Sequence, residues 1–179
     1  MAEVRKLYTI DDIEALPEGE RAELIDGLMY MMSSPTTTHQ RICGYVFNSF
    51  YNYIQNNNGN CEVFISPFAV YLSKKHNYVE PDIMVICNKD KLDDKGCHGG
   101  PDFVVEIVSN SSVKMDYFLK LFKYAEAGVR EYWIVDPRKN SITVYYFEKG
   151  EISEYTFEDS VPVGIYDGEF EVDFSKLNM

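Results

Sequence analysis

Positive charge is scarce in this 179-residue chain: 17 Lys and Arg stand against 29 Asp and Glu, a formal net charge of −12. That balance argues against a protein that grips DNA through its whole surface, because phosphates are drawn to Lys and Arg. A nucleic-acid site here needs a local basic patch or a metal ion. Cysteine is also sparse. Cys43, Cys61, Cys87 and Cys97 are widely spaced and form no C-x-x-C pair, so the spacing indicates neither a disulfide framework nor a zinc ribbon, and reduced thiols are expected. Cys87 with Cys97 and His98 could supply three zinc ligands, but their loop placement and the lack of a second pair argue against it. No apolar run is long enough to span a bilayer, and Met1 to Tyr8 is charged at Glu3, Arg5 and Lys6 with no apolar stretch behind it. The expectation is a cytoplasmic protein with no membrane partner. Repeats, low-complexity tracts and long linkers are absent, which together with the length predicts one domain over 1–179.

What is present is globular: 45% hydrophobic and 26% charged residues. Thr9 and Asp12 form a loose N-cap for a short helix that Pro17 stops. Glu20 to Met32 reads as a hairpin turning at Asp26-Gly27. Ile42, Val46, Phe50 and Ile54 recur every four residues, marking an amphipathic helix that Asn56 to Gly59 ends. Glu62 to Ser73 suggests one extended strand with Pro67 as a bend or edge position. Asp82 to Cys87 and Asp102 to Ser109 read as buried strands, separated by a polar loop. A helix follows from about Ser112 to Ala127, ended by Gly128, then a short strand Tyr132 to Val135. Ile142 to Phe147, Glu151 to Phe157 and Glu169 to Phe174 alternate like an antiparallel meander. Trp133 and the tyrosines at 51, 53, 132, 145 and 146 read as packing. The helix between the last two central strands implies a crossover and a parallel pair. The predicted fold class is therefore α+β, an α/β sandwich with a mixed central sheet flanked by helices in the order α-β-β-β-α-β.

Asp82 opens one buried strand and Glu106 sits late in the next. In an antiparallel pair, the start of the first lies beside the end of the second, and facing Cβ atoms are about 4.5–5.5 Å apart. Two carboxylates at that separation, with a backbone carbonyl, suit Mg²⁺. Acids at strand ends are often turn formers, but Glu106 interrupts an apolar run where an unpaired carboxylate is costly. Asp102, four residues from Glu106 on an extended strand, is about 13 Å away and cannot share its metal. Glu80 lies on the face of Asp82 and is a candidate outer ligand.

Pro81-Asp82 followed by Glu106-Ile107-Val108, within this order of elements, resembles the PD-(D/E)XK nuclease superfamily with its restriction-endonuclease-like core. ELIDG (23–27), HQRI (39–42), VEPDIMVI (79–86), PDFVVEIVS (101–109) and KLFKYAEAGVREYWIVDP (120–137) resemble the Uma-two-type restriction endonucleases more closely. The resemblance implies divalent-metal phosphodiester hydrolysis, with Asp82, Glu106 and the Ile107 carbonyl holding Mg²⁺ (or Mn²⁺). The motif's lysine position is Val108. The following helix can supply the cation, because Asp116, Lys120 and Tyr124 share one face at four-residue spacing and related families move the lysine there. Lys120 is the chosen residue, Lys114 and Lys123 the alternatives. The resemblance also puts an acid, Glu23, near the metal centre, where it could bind a second cation, position water or hold Lys120. His39 reads as a helix N-terminal residue near the pocket. The expected substrate is nucleic acid, DNA first, and the expected assembly a homodimer. A nuclease-like binding or regulatory module and a small-molecule phosphoesterase are the alternatives.

Overall fold

The structure is a computed structural model and describes residues 6–110 and 112–178. After a short helix α1 (Ile10–Glu14), the chain makes a hairpin of β1 (Ala22–Ile25) and β2 (Leu28–Met31). Asp26 and Gly27 both take positive φ, at 50° and 77°, which the tight turn requires. Helix α2 (Thr37–Asn56) is the predicted amphipathic helix, N-capped by Thr36, whose hydroxyl accepts the His39 N–H. Its buried positions are Ile42, Cys43, Val46, Phe50 and Ile54.

The central sheet runs β12-β11-β10-β9-β6-β3, built from β3 (Glu62–Ile65), β6 (Ile83–Ile86), β9 (Phe103–Ile107), β10 (Glu131–Asp136), β11 (Ser141–Tyr146) and β12 (Glu151–Thr156). The β6–β9 pair is antiparallel and the β9–β10 pair parallel, so the mixed sheet and its helical crossover are as the sequence predicts. Two apolar clusters cover its two faces. Ile83, Val85, Phe103, Val105, Trp133 and Val135 pack with α2. Met84, Ile86, Val104, Val108, Tyr132 and Ile134 pack on the other side. This is the period-two alternation of a sheet buried on both faces. Trp133 and Tyr132 are fully buried, whereas Tyr51 is exposed.

A second sheet covers the second face, in the order β2-β1-β5-β4-β8-β7, adding β4 (Val70–Tyr71), β5 (Tyr78–Val79), β7 (Leu92–Asp93) and β8 (Gly96–His98). Three expectations change here. The strand expected over 62–73 is two strands in different sheets, because the chain leaves β3 at Ser66-Pro67 and re-enters as β4. The polar loop before Pro101 contributes β7 and β8, which pair with each other, and β8 joins the sheet through β4, distant in sequence. The terminal segment does not extend the meander: β14 (Glu171–Asp173) pairs instead with β13 (Ser160–Pro162).

The crossover helix is not uniform. A π-helical turn, Met115–Leu119, runs into α3 (Lys120–Glu126), and Gly128 follows at φ 80°. The cysteine reading also requires correction. Cys61 and Cys87 form a disulfide. They stand one step beyond the Glu62–Ile86 pair, so strand pairing brings together thiols that lie 26 residues apart. Cys43 and Cys97 are free and buried. Among the described residues, no helix is long and apolar enough to cross a membrane.

Candidate active site

The β6–β9 register pairs Ile83 with Val105, which sets Asp82, just before β6, level with Glu106. Strand alternation turns Glu106 to the same face as Val104 and Val108, toward α3. From that helix, Asp116, Lys120 and Tyr124 are all buried, the four-residue spacing that puts side chains on one stripe. Lys120 Nζ lies 2.8 Å from Glu106 Oε1 and 2.8 Å from Glu23 Oε1, with Asp116 Oδ1 at 3.8 Å. The Tyr124 hydroxyl donates to the same Glu106 Oε1. Glu23 Oε1 also accepts the Glu80 N–H at 3.0 Å, which pins β1 to the segment leading into β6. Asp82 Oδ2 accepts the Ile107 N–H at 2.8 Å and meets His39 Nε2 at 3.0 Å. Glu23, His39, Glu80, Asp82, Glu106, Asp116 and Lys120 line one cleft of about 830 Å³, within the usual size range of a ligand site.

Burial pushes the Glu106 carboxyl well above the usual carboxylate range, and Asp82, Asp116 and Glu23 add to the push while Lys120 opposes it. Burial likewise raises Asp116, to about 6, against the pull of Lys120 and the Ser112 hydroxyl. For Lys120 burial disfavours the ammonium, but Glu106, Glu23 and Asp116 overcome it and hold the group well above its ordinary value. The cluster is therefore one ammonium among three buried acids. Removing one member of such a group leaves uncompensated charge in low dielectric.

The structure brings together Asp82, Glu106, Ile107, Lys120 and Glu23. Glu23 contacts the Lys120 ammonium. Val108 is buried among apolar residues, while Lys120 delivers its ammonium beside Glu106. Lys123 turns away to Asp26 and Glu126, 2.9 Å from each, and Lys114 is exposed. Asp102 sits at the opposite end of β9 from Glu106 and accepts the Cys87 N–H at 2.8 Å. Glu80 is engaged by Arg21 and by the Tyr78 hydroxyl. The Cys87, Cys97 and His98 zinc set does not form: Cys87 is in the disulfide and His98 faces Asp93 at 2.9 Å. Arg21 escaped notice in the sequence. The signal was the two-residue step from Arg21, just before β1, to Glu23 on it, which puts both on one face of the extended chain.

A family model described as "putative restriction endonuclease", Uma2, matches residues 10–171. The chain belongs to the Uma2 family. An uncharacterized protein of Synechocystis sp. is 27% identical over 128 residues, which cover 71% of this chain and 66% of that protein. The chain thus matches just under two thirds of that relative's length. The crystal structure of a protein from Anabaena variabilis, titled a putative nuclease belonging to DUF820, superposes with a TM-score of 0.77 at 19% identity. It covers 94% of this chain and 96% of that one. At that identity it shows the restriction-endonuclease-like fold alone.

Whether this Uma2 chain suits a divalent cation depends on its donors. Among the described residues no group of three or more His, Cys, Asp or Glu side chains is gathered as a metal cage. Mg²⁺ does not need one, since it usually keeps several waters and takes one or two carboxylates. Both bonds to Asp82 fall on Oδ2, and both to Glu106 fall on Oε1. Each carboxylate therefore has one oxygen anchored by the protein and one that meets no donor among the described residues. Two hard oxygen donors on neighbouring strands fit such an ion.

Proposed function

We propose that this Uma2 chain is a divalent-cation-dependent nuclease that hydrolyses phosphodiester bonds, with DNA the first substrate to test. The observation that carries the reading is the convergence of Asp82, Glu106 and Lys120 in one cleft, with the lysine supplied from α3. Asp82 and Glu106, with the Ile107 carbonyl, would hold Mg²⁺ or Mn²⁺. When bound, the cation polarises a phosphodiester oxygen and lowers the pKa of its water. Lys120 is the cation of the protein nearest that centre, suited to orient water or to offset charge developing on phosphorus oxygens. Glu23 holds the Lys120 ammonium from β1, and the Glu80 N–H fixes Glu23 in turn.

The test is calorimetric titration with Mn²⁺ alongside cleavage of a mixed DNA and RNA panel. Asp82→Asn and Glu106→Gln should each weaken Mn²⁺ binding and abolish cleavage while the fold persists. Unchanged titrations in both variants refute the site. One observation favours a second reading, a nuclease-like module that binds without cutting: the Lys120 ammonium is already paired with two carboxylates. Under that reading Mn²⁺ binds and no member of the panel is cut.

A further inference from the structure

We infer that His39 is a positioning residue of the cation site, holding Asp82 so that one of its oxygens is left for the metal. The inference rests on the proposed function and extends it to a residue outside the three that define the site. At the sequence level His39 is a residue near a helix start, and such residues ordinarily face solvent. In the structure its side chain is 14% exposed. Its Nε2 meets Asp82 Oδ2 at 3.0 Å, and its Nδ1 is buried with no hydrogen-bond partner among the described residues. The ring thus gives up hydration at two nitrogens and recovers one close hydrogen bond, to Asp82, with a weaker interaction with the Ile107 backbone. An unsatisfied buried polar atom costs about 1–3 kcal/mol, so this placement is unexplained by stability.

The surrounding contacts give it a purpose. The N-cap Thr36 fixes the His39 backbone by accepting its N–H at 3.2 Å. One helical turn on, the Cys43 thiol lies 3.6 Å from the Asp82 carbonyl. The first two turns of α2 therefore grip Asp82 at both its carboxylate and its backbone, as i and i+4 positions on one helix face. Ile107 supplies the second donor to Oδ2 from β9. With Oδ2 held from two directions, the carboxylate plane is fixed and Oδ1 is the remaining oxygen. Lys120 and Tyr124 do the same to Glu106, leaving Oε2. Partners of this kind set ligand orientation, and their loss typically costs about 10–100-fold in metal affinity or activity.

The experiment compares Mn²⁺ titrations and melting temperatures of the unaltered chain, His39→Gln and His39→Phe. Gln keeps an N–H donor on a side chain of comparable reach, whereas Phe keeps the ring shape and has none. The expected result is Mn²⁺ affinity lower by about 10–100-fold in His39→Phe, most of it retained in His39→Gln, and melting preserved in both. His39→Ala serves the same comparison if the Phe variant does not fold. Equal Mn²⁺ affinity in His39→Phe and the unaltered chain overturns the inference and leaves the nuclease reading standing. A Gln variant as weak as Phe also overturns it, because the donor would then not be what matters. An unaltered chain that takes up no Mn²⁺ refutes the cation site itself and this inference with it.

Discussion

Lys120→Met removes a buried ammonium and keeps most of its apolar stem, so its effect isolates charge. Glu106 and Glu23, each 2.8 Å from Nζ, and Asp116 at 3.8 Å lose their common counter-ion. Breaking a buried ion pair by removing one partner costs about 3–5 kcal/mol, a large share of the ~5–15 kcal/mol by which domains are stable. For a chain of this size about 1 kcal/mol corresponds to ~2–4 °C in melting temperature. The expected fall is therefore roughly 6–20 °C near pH 8. The loss depends on pH with a definite sign. Burial already raises the Glu106 carboxyl, and without Lys120 it rises further, so protonation relieves the variant. An acid whose pKa is raised by folding contributes its stability at low pH and loses it as pH rises. The gap between the variant and the unaltered chain should narrow toward pH 5, and adding Glu106→Gln should recover part of it at pH 8. Thermal melts across pH 5–8 measure both effects. A variant that melts with the unaltered chain at pH 8 would refute the assignment of Lys120 as counter-ion to buried carboxylates.

The other expected outcomes use different observables. Asp116 titrates at about 6 against an ordinary 3.8, so relative to Asp116→Asn the unaltered chain should lose up to ~3 kcal/mol as pH rises from about 4 to 7.5. Urea unfolding at the two pH values checks the sign, and a relative gain would contradict it. Thiol labelling of the unfolded chain without reductant should modify Cys43 and Cys97 and spare Cys61 and Cys87; labelling of all four denies the disulfide. Arg21 and Lys120 are the Lys and Arg residues lining the cleft, so log K for substrate against log salt should have a slope near −1.8 at most, about −0.9 for each phosphate neutralised. A slope of about −5 would place the main phosphate contacts elsewhere.

The sequence made the central sheet legible because its signals are local. Four-residue apolar spacing defines α2, dense β-branched runs define β6 and β9, and a helix between β9 and β10 forces the crossover. From these the meeting of Asp82 and Glu106 follows by register. What stayed hidden is non-local. A strand over 62–73 and two strands in separate sheets share one apolar pattern, and the difference lies in which partners pair with each half. The Cys61–Cys87 bond exists because β3 and β6 pair, which spacing does not encode. Lys120 shows the same limit in energetic form. Its sequence partner is Asp116, four residues away, which makes it look replaceable by methionine without loss of stability. Glu23 and Glu106 come to it from two different sheets, and they turn a surface-like helical pair into a buried cluster.

The cleft's charge distribution explains why so acidic a chain can be assigned a phosphate substrate at all. Five carboxylates line it, Glu23, Glu80, Asp82, Glu106 and Asp116, against Arg21 and Lys120, and both cations are already bonded to acids. An approaching phosphodiester therefore meets net repulsion from the protein alone. Under the proposed function, a divalent cation held by Asp82 and Glu106 would offset most of that excess and would be the largest single charge facing the phosphate. It would also favour ionised Glu106, whose burial otherwise favours the protonated form. On that proposal, cation and substrate binding would be coupled through the same two carboxylates, and the acidic lining would suppress phosphate binding until the cation is present.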